Sequence, residues 1–336
     1  MIARRCRAAL GAVLLSTACA GNGNNDADTV NPADVQPEMP EVPRDVLVHD
    51  LEATVIENYG HLSLGNFSAF RDGLSAEEPV TLLGITPGDV VIGRRPSDAG
   101  RDRRIYRVLG PTLLSKNLDV HLSEEGSVGW TFDEMSYRVP YQGRTASIPI
   151  RSTELYVRDF DRWVMVMQHQ SYAISFDDLR TLASSGVLEA PKRFHSRATA
   201  RGSRELISLV GRLHNAGTRP IAPGTAALIL LPDRDHEVHG ADAAQTSSLA
   251  ALFGAGTTVG LRDYRIGVAK SGRVAWMAAN LVVRAGAGEG TSAPVDIGLR
   301  GTYVFQRGDA GWEVVQMHIS AAVPEAELSR RMFGTP

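Results

Sequence analysis

The stretch Arg151-Ser-Thr-Glu-Leu-Tyr-Val-Arg-Asp-Phe-Asp-Arg-Trp-Val-Met-Val-Met-Gln-His-Gln-Ser171 is written a second time as Arg300-Gly-Thr-Tyr-Val-Phe-Gln-Arg-Gly-Asp-Ala-Gly-Trp-Glu-Val-Val-Gln-Met-His-Ile-Ser320. Arg151, Thr153, Trp163, His169 and Ser171 return as Arg300, Thr302, Trp312, His318 and Ser320, always 149 residues later and without an insertion. Self-similarity at a fixed offset means two copies of one structural unit. Each copy ends in a hairpin whose last strand carries a Trp and then His-x-Ser.

Working outward, the same order of elements is legible upstream of each copy. Leu118-Asp-Val-His-Leu122 alternates, Glu124-Glu-Gly-Ser127 turns the chain, and Val128 to Val139 returns. In the second copy Tyr264 to Val268, Lys270-Ser-Gly-Arg273 and Val274 to Val283 repeat that plan, with Trp130 answered by Trp276 at an offset of 146. Short strands are expected at Pro79 to Gly84 and Val90 to Ile92. Leu47, Leu51, Val55, Tyr59 and Leu62 make one apolar stripe at helical spacing, and Pro43 suits the first turn of that helix. Further helices are expected at Asn66 to Leu74, from Phe176, at Ser203 to His214, around Ala244 to Phe253 and from Pro324. Helices first and a sheet afterwards make an α+β unit.

The Arg-x-Thr strand followed by the Trp-x5-His-x-Ser strand resembles the C-terminal half of SnoaL-like domains in the nuclear-transport-factor-two-like superfamily. It is particularly similar to the group related to the association domain of calcium/calmodulin-dependent kinase. The resemblance covers 118–171 and 264–320. It implies two cone-shaped domains, each with N-terminal helices and a strongly curved, mainly antiparallel sheet around a pocket. The expected division is a first domain at 43–175, a connector at 176–201, a second domain at 202–325 and a tail at 326–336. The superfamily holds isomerases, dehydratases, cyclases, epoxide hydrolases and proteins without catalysis, so the resemblance carries a fold further than a reaction.

The chain has 336 residues, enough for two domains of ordinary size, and at 43% hydrophobic and 22% charged it builds real cores. A net charge of -3 gives no general electrostatic reason to bind nucleic acid. Only Lys116, Lys192 and Lys270 are lysines, an arginine bias that fits a GC-rich bacterial genome. Met1 to Arg7 reads as a positive n-region and Ala8 to Leu15 as an apolar h-region, so 1–18 is expected to be an export signal. Ser16-Thr-Ala-Cys19 resembles the lipobox of bacterial lipoproteins, with Cys19 as the lipidated residue, although Leu15 lies four rather than three residues before it. Cleavage after Ala20 is the alternative. The polar, Pro-rich segment 19–42 then reads as a membrane tether. Ala20 rather than Asp follows the cysteine, which makes the outer membrane the expected location, with secreted or periplasmic as the alternative.

Strand alternation places Trp163, Met165, Met167, His169 and Ser171 on one face, with Arg151 and Thr153 alongside. If that face lines the cone, Arg151, Thr153, His169 and Ser171 form one ligand-binding wall and Arg300, Thr302, His318 and Ser320 another. Such a wall suits a small carboxylate or an apolar ligand with a polar head. The same residues serve equally as satisfied core groups. His169, Asp133 and His121 are the acid–base candidates, but Asp133 answers to Ala279 and Asp119 to Arg265 in the second copy. No cofactor motif is present: Gly254, Gly256 and Gly260 lack the strand-to-helix context of a nucleotide loop. Asp233-Arg-Asp-His-Glu-Val-His239 reads as a polar turn rather than a metal site. The residues alone leave enzymatic activity undecided. The leading expectation is an envelope-anchored small-ligand-binding or assembly protein, and the alternative is an isomerase, dehydratase or hydrolase working in the first-domain pocket. The two copies are expected to pair within the chain as a pseudo-dimer through Val164 and Val166 of one copy and Val315, Met317 and Ile319 of the other.

Overall fold

A computed structural model describes residues 42–94, 110–141, 143–194, 203–215, 221, 227–240, 248–286 and 294–333. The expected signal at 1–18, the expected lipidation site Cys19 and nearly all of the expected tether lie outside these residues.

Helix α1 (Arg44–Ser63) follows Pro43 and buries the stripe Leu47, Leu51, Val55, Tyr59 and Leu62. Helix α2 (Phe67–Asp72) is capped by the Asn66 side chain, which accepts from the Ala69 N–H. Strands β1 (Val80–Leu83), β2 (Val90–Arg94), β3 (Thr112–Leu122), β4 (Val128–Tyr141), β5 (Arg144–Asp159) and β6 (Arg162–Ser171) complete the first half. Helix α3 (Phe176–Ser184) leads onward with Ser175 as its N-cap. The second half holds α4 (Ser203–Asn215), β7 (Leu228–Leu230), β8 (Glu237–His239), the short helix α5 (Leu249–Leu252) and strands β9 (Thr258–Val268), β10 (Val274–Ala285), β11 (Val295–Gly308) and β12 (Gly311–Ser320). Helix α6 (Glu325–Phe333) closes the chain with Glu325 and Glu327 early and Arg330 and Arg331 late, as the helix dipole favours.

The two sheets repeat one strand order, β2-β1-β6-β5-β4-β3 and β8-β7-β12-β11-β10-β9. The strongly curved, mainly antiparallel cone expected from the resemblance is corrected here. Each sheet is open, since its first and last strands do not pair, and each is mixed, since β1 runs parallel to β6 and β7 runs parallel to β12. Helices flank these sheets. The parallel strands are short and come from the loop-rich middle of each copy, where no alternation marked β7 or β8.

The hairpins β3–β4 and β9–β10 turn at Gly126 and Gly272, whose φ values of 66° and 69° lie in the left-handed region. A bulge falls at one place in both copies. Leu155 pairs with Met167 but Tyr156 pairs with Met165, and Val304 pairs with Gln316 but Phe305 pairs with Val314. The extra residues, Val166 and Val315, shift the strand by one step. Trp163 and Met165 therefore pack in the core cluster that includes α1, whereas Val166 and Met167 join a second cluster on the other face. That second cluster mixes the halves: Leu83, Trp130 and Leu155 meet Trp276, Ala278, Val304 and Val315. Val166 and Val315 lie between the halves as expected, but Met317 and Ile319 belong to the larger cluster.

Candidate functional site

Beyond the bulge, Arg151, Thr153, His169 and Ser171 share one face, because Arg151 pairs with Ser171 and Thr153 with His169. Arg300, Thr302, His318 and Ser320 do the same in the second sheet. These faces meet each other. The His169 ring has Nδ1 3.0 Å from Thr302 Oγ1 and Nε2 2.7 Å from Ser320 Oγ. The His318 ring has Nδ1 3.0 Å from Thr153 Oγ1 and Nε2 2.7 Å from Ser171 Oγ. The two imidazoles stack at 3.9 Å between centroids and 19° between planes. A hydroxyl both donates and accepts, so each neutral imidazole finds a partner on both nitrogens in either tautomer.

The arginines extend the reciprocity. Arg151 donates to the carbonyls of Pro232 and Asp233, and Arg300 to the carbonyl of Gly84. Backbone bonds repeat the pattern, with Ile174 N–H to Pro232 and Val323 N–H to Ile85. Contacts in which residue i of one half meets residue j of the other, and the reverse, are the mark of an isologous interface. Burial drives both imidazoles well below the ordinary histidine value, and the nearby Arg300 and Arg151 push the same way. Burial also lowers the two guanidinium groups to about 10. The eight residues expected to wall two pockets are thus the polar seam between the halves.

The trio His121, Asp133 and His169 is not assembled. Asp133 stands in line with Ser152 and Gln170, and His169 in line with Thr153 and Phe132, on opposite faces of one sheet. Asp133 Oδ1 instead accepts from the N–H groups of Lys116 and Asn117 at 3.2 Å. His121, three strands away from His169 in the sheet, pairs with Asp119 at 2.9 Å and stacks on Trp130. The segment after Pro232 forms a tight turn and β8, with His236 against Phe176 and His239 against Phe132. Among the described residues no group of three or more His, Cys, Asp or Glu is arranged to hold a metal.

The chemistry that the sequence reading missed lies on the other face of the first sheet, toward α1. Glu154 is fully buried there. Its carboxyl accepts from Tyr156 Oη at 2.5 Å, from Gln168 Nε2 at 2.5 Å and from Ser152 Oγ at 3.3 Å. Asn58 of α1 donates to Tyr156 Oη at 3.3 Å, and Tyr137 Oη donates to Gln170 Oε1 at 2.6 Å nearby. Burial raises the Glu154 carboxyl above the usual carboxylate range against the pull of its donors, and Asp133 adds to the rise. Asp133 is itself raised, chiefly by burial.

The second copy has none of this set. At the 149-residue offset Ser152, Glu154, Tyr156, Gln168 and Gln170 become Gly301, Tyr303, Phe305, Met317 and Ile319. In its place His214 Nε2 meets Tyr303 Oη at 2.7 Å, and burial lowers His214 to about 4. The signal in the sequence was divergence: polar residues at alternate positions of one copy and apolar residues at the same positions of the other.

The family model for the SnoaL-like domain matches residues 53–175 and again 225–324. The chain belongs to the SnoaL-like family. Its two SnoaL-like halves coincide with the two sheets. Similar solved structures include the calcium/calmodulin-dependent kinase hub homology domain of Chlamydomonas reinhardtii, at 14% identity and a TM-score of 0.31, covering 38% of this chain and 98% of that one. A nuclear-transport-factor-two-like protein with a cystatin-like fold from Novosphingobium aromaticivorans matches at 12% identity and TM-score 0.34, covering 41% and 92%. A protein described as a scytalone dehydratase from the same organism matches at 10% identity and TM-score 0.33, covering 38% and 85%. No curated protein matches.

Proposed function

We propose that the first SnoaL-like half acts on a small organic molecule by acid chemistry at Glu154, and that the second half is its built-in structural mate. The observation that carries this reading is the buried Glu154 carboxyl in a ring of Tyr156, Gln168, Ser152 and Asn58, present in one copy and replaced by Tyr303 and apolar residues in the other. Burial raises the Glu154 carboxyl, so it keeps its proton to higher pH than an exposed glutamate and can donate it to a basic oxygen. The groups that act on it most are the Tyr156 and Ser152 hydroxyls, the Gln168 amide and the Asp133 carboxyl. An uncharged substrate with a carbonyl, epoxide or leaving hydroxyl oxygen suits that environment, whereas a carboxylate is repelled. Isomerisation, dehydration or epoxide opening are the reactions such a donor serves.

The reciprocal His–Thr and His–Ser bonds support an intrachain pseudo-dimer in which the second half fixes the first sheet. Covalent linkage makes that pairing intramolecular and independent of concentration. The test uses a panel of neutral β-hydroxy ketones, enones and epoxides with the wild type and Glu154→Gln. Loss of the proton donor is expected to lower turnover by about 100-fold or more while the chain stays monomeric by light scattering. Equal turnover by the variant would overturn the reading.

A further inference from the structure

The first helix of each half packs its apolar stripe against the matching strand of its own sheet, α1 on β3 and α4 on β9. Their outer faces differ. We propose that the outer face of α1 is a docking surface for a basic amphipathic helix of a partner protein. The inference is independent of Glu154, because the α1 residues on that side of the helix, Asn58 among them, point into the core.

At 3.6 residues per turn, Val46, Ala53 and Gly60 recur every seven positions along one line of α1, with Ile56 beside them and Leu64 directly after the helix. All five are exposed, Ile56 to 48% and Leu64 to 84%. Helix α4 carries an ordinary solvent face at the same place. Its exposed positions are Arg204, Glu205, Ser208, Arg212 and Asn215, polar throughout. The apolar outer face therefore belongs to one copy and is not a demand of the fold. Gly60 adds a separate observation. A Cβ there would meet nothing within 4 Å, so no contact inside the chain calls for a glycine in a helix that glycine weakens. Bare backbone on an outer face suits close approach from outside.

Charge selects the occupant. Asp50 and Glu57 run along one side of the stripe, and Asp45 and Glu52 along the other. Glu52 and Glu57 are met along the helix by His49 at 3.4 Å and His61 at 3.5 Å. Among the described residues no lysine or arginine pairs with any of the four carboxylates. A second copy seated on this face would set acidic rim against acidic rim, and an anionic lipid surface is repelled in the same way. Lysines and arginines flanking an apolar stripe complement it. From Val46 to Leu64 the stripe runs about 27 Å, the length of a partner helix of about 18 residues.

Fluorescence anisotropy of the full chain with labelled helical peptides of about 18 residues tests the assignment. All share one heptad frame. The first has a leucine stripe flanked by lysine, the second the same stripe flanked by glutamate, and the third lysine flanks with serine in place of leucine. The first is expected to bind at least about tenfold more tightly than either other peptide, and to weaken as salt is raised. Val46→Ser/Ile56→Asn is expected to weaken it about tenfold at an unchanged melting temperature, since both side chains are exposed. Absence of binding by the first peptide would overturn the proposal, as would equal binding of the second or third, or a variant that binds as well as wild type. Dimerisation of the wild type by light scattering, abolished by the same variant, would also overturn it, because a second copy would then own the face.

Discussion

Acid is expected to loosen this fold through three buried histidines, and the size of the effect follows from their burial. His169, His318 and His214 are held neutral, the first two well below the ordinary value and the third at about 4. In the unfolded chain each takes up a proton near pH 6.5, while the folded chain does not. Their contribution is therefore complete above about pH 6.5 and is lost as pH falls toward their folded values. Between pH 7.5 and 5.5 each costs about 1.4 kcal/mol of stability. The interface pair alone costs about 2.8 kcal/mol and the three together about 4 kcal/mol, a large part of an ordinary folding free energy. Glu154 and Asp133 act in the opposite direction, because raised carboxyls stay protonated in the folded state after the unfolded chain has released its protons. A difference measurement removes them. Urea unfolding of the wild type and of His169→Gln/His318→Gln at pH 7.5, 6.5 and 5.5 is the assay. The wild type is expected to lose about 2.8 kcal/mol more than the double variant across that range. An identical loss in both proteins would refute the claim that the pair is buried and neutral.

Other consequences are direct. Ser171→Ala and Ser320→Ala each leave one buried imidazole nitrogen without its hydroxyl and should destabilise the chain by about 1–3 kcal/mol, to matching extents, in urea melts. Tyr303→Phe should cost a similar amount, about 1–3 kcal/mol, by stranding His214, and its effect should add to those of the serine variants because the site is separate. Glu154→Gln removes a carboxyl that weakens the folded state as pH rises above the ordinary glutamate range. The variant should therefore gain stability relative to wild type between pH 5 and pH 8, which thermal melts at the two pH values will show.

Much of this fold was legible because repetition does not depend on knowing any element in advance. The hairpins ending at Ser171 and Ser320, the apolar stripe of α1 and the turns at Gly126 and Gly272 all followed from periodicity and turn chemistry. The facing of the last strands did not. Trp163-Val-Met-Val-Met167 is apolar at every position, so nothing in it marks where an extra residue sits. One bulge at Val166 turns His169 and Ser171 from the helix-facing side to the side that meets the other half. Lacking that step, alternation extended from Trp163 assigned the histidines to a pocket. Glu154 was overlooked for a different reason. Recurrence singles out what both copies need, and both need the seam, whereas a site kept by one copy shows as difference. Asp133 was noted as unmatched in the second copy, but Glu154, Gln168 and Gln170 share that property and stand on its face of the sheet.

The recurring histidines and serines bind one another across the two halves. A pair of double-mutant cycles in urea tests it, His169→Phe with Ser320→Ala and His318→Phe with Ser171→Ala. The partners are 151 and 147 residues apart in the chain and 2.7 Å apart in the fold. A coupling of about 1 kcal/mol is expected in each cycle and, by the pseudo-symmetry, similar values in both. Additivity within about 0.5 kcal/mol in both cycles would contradict it.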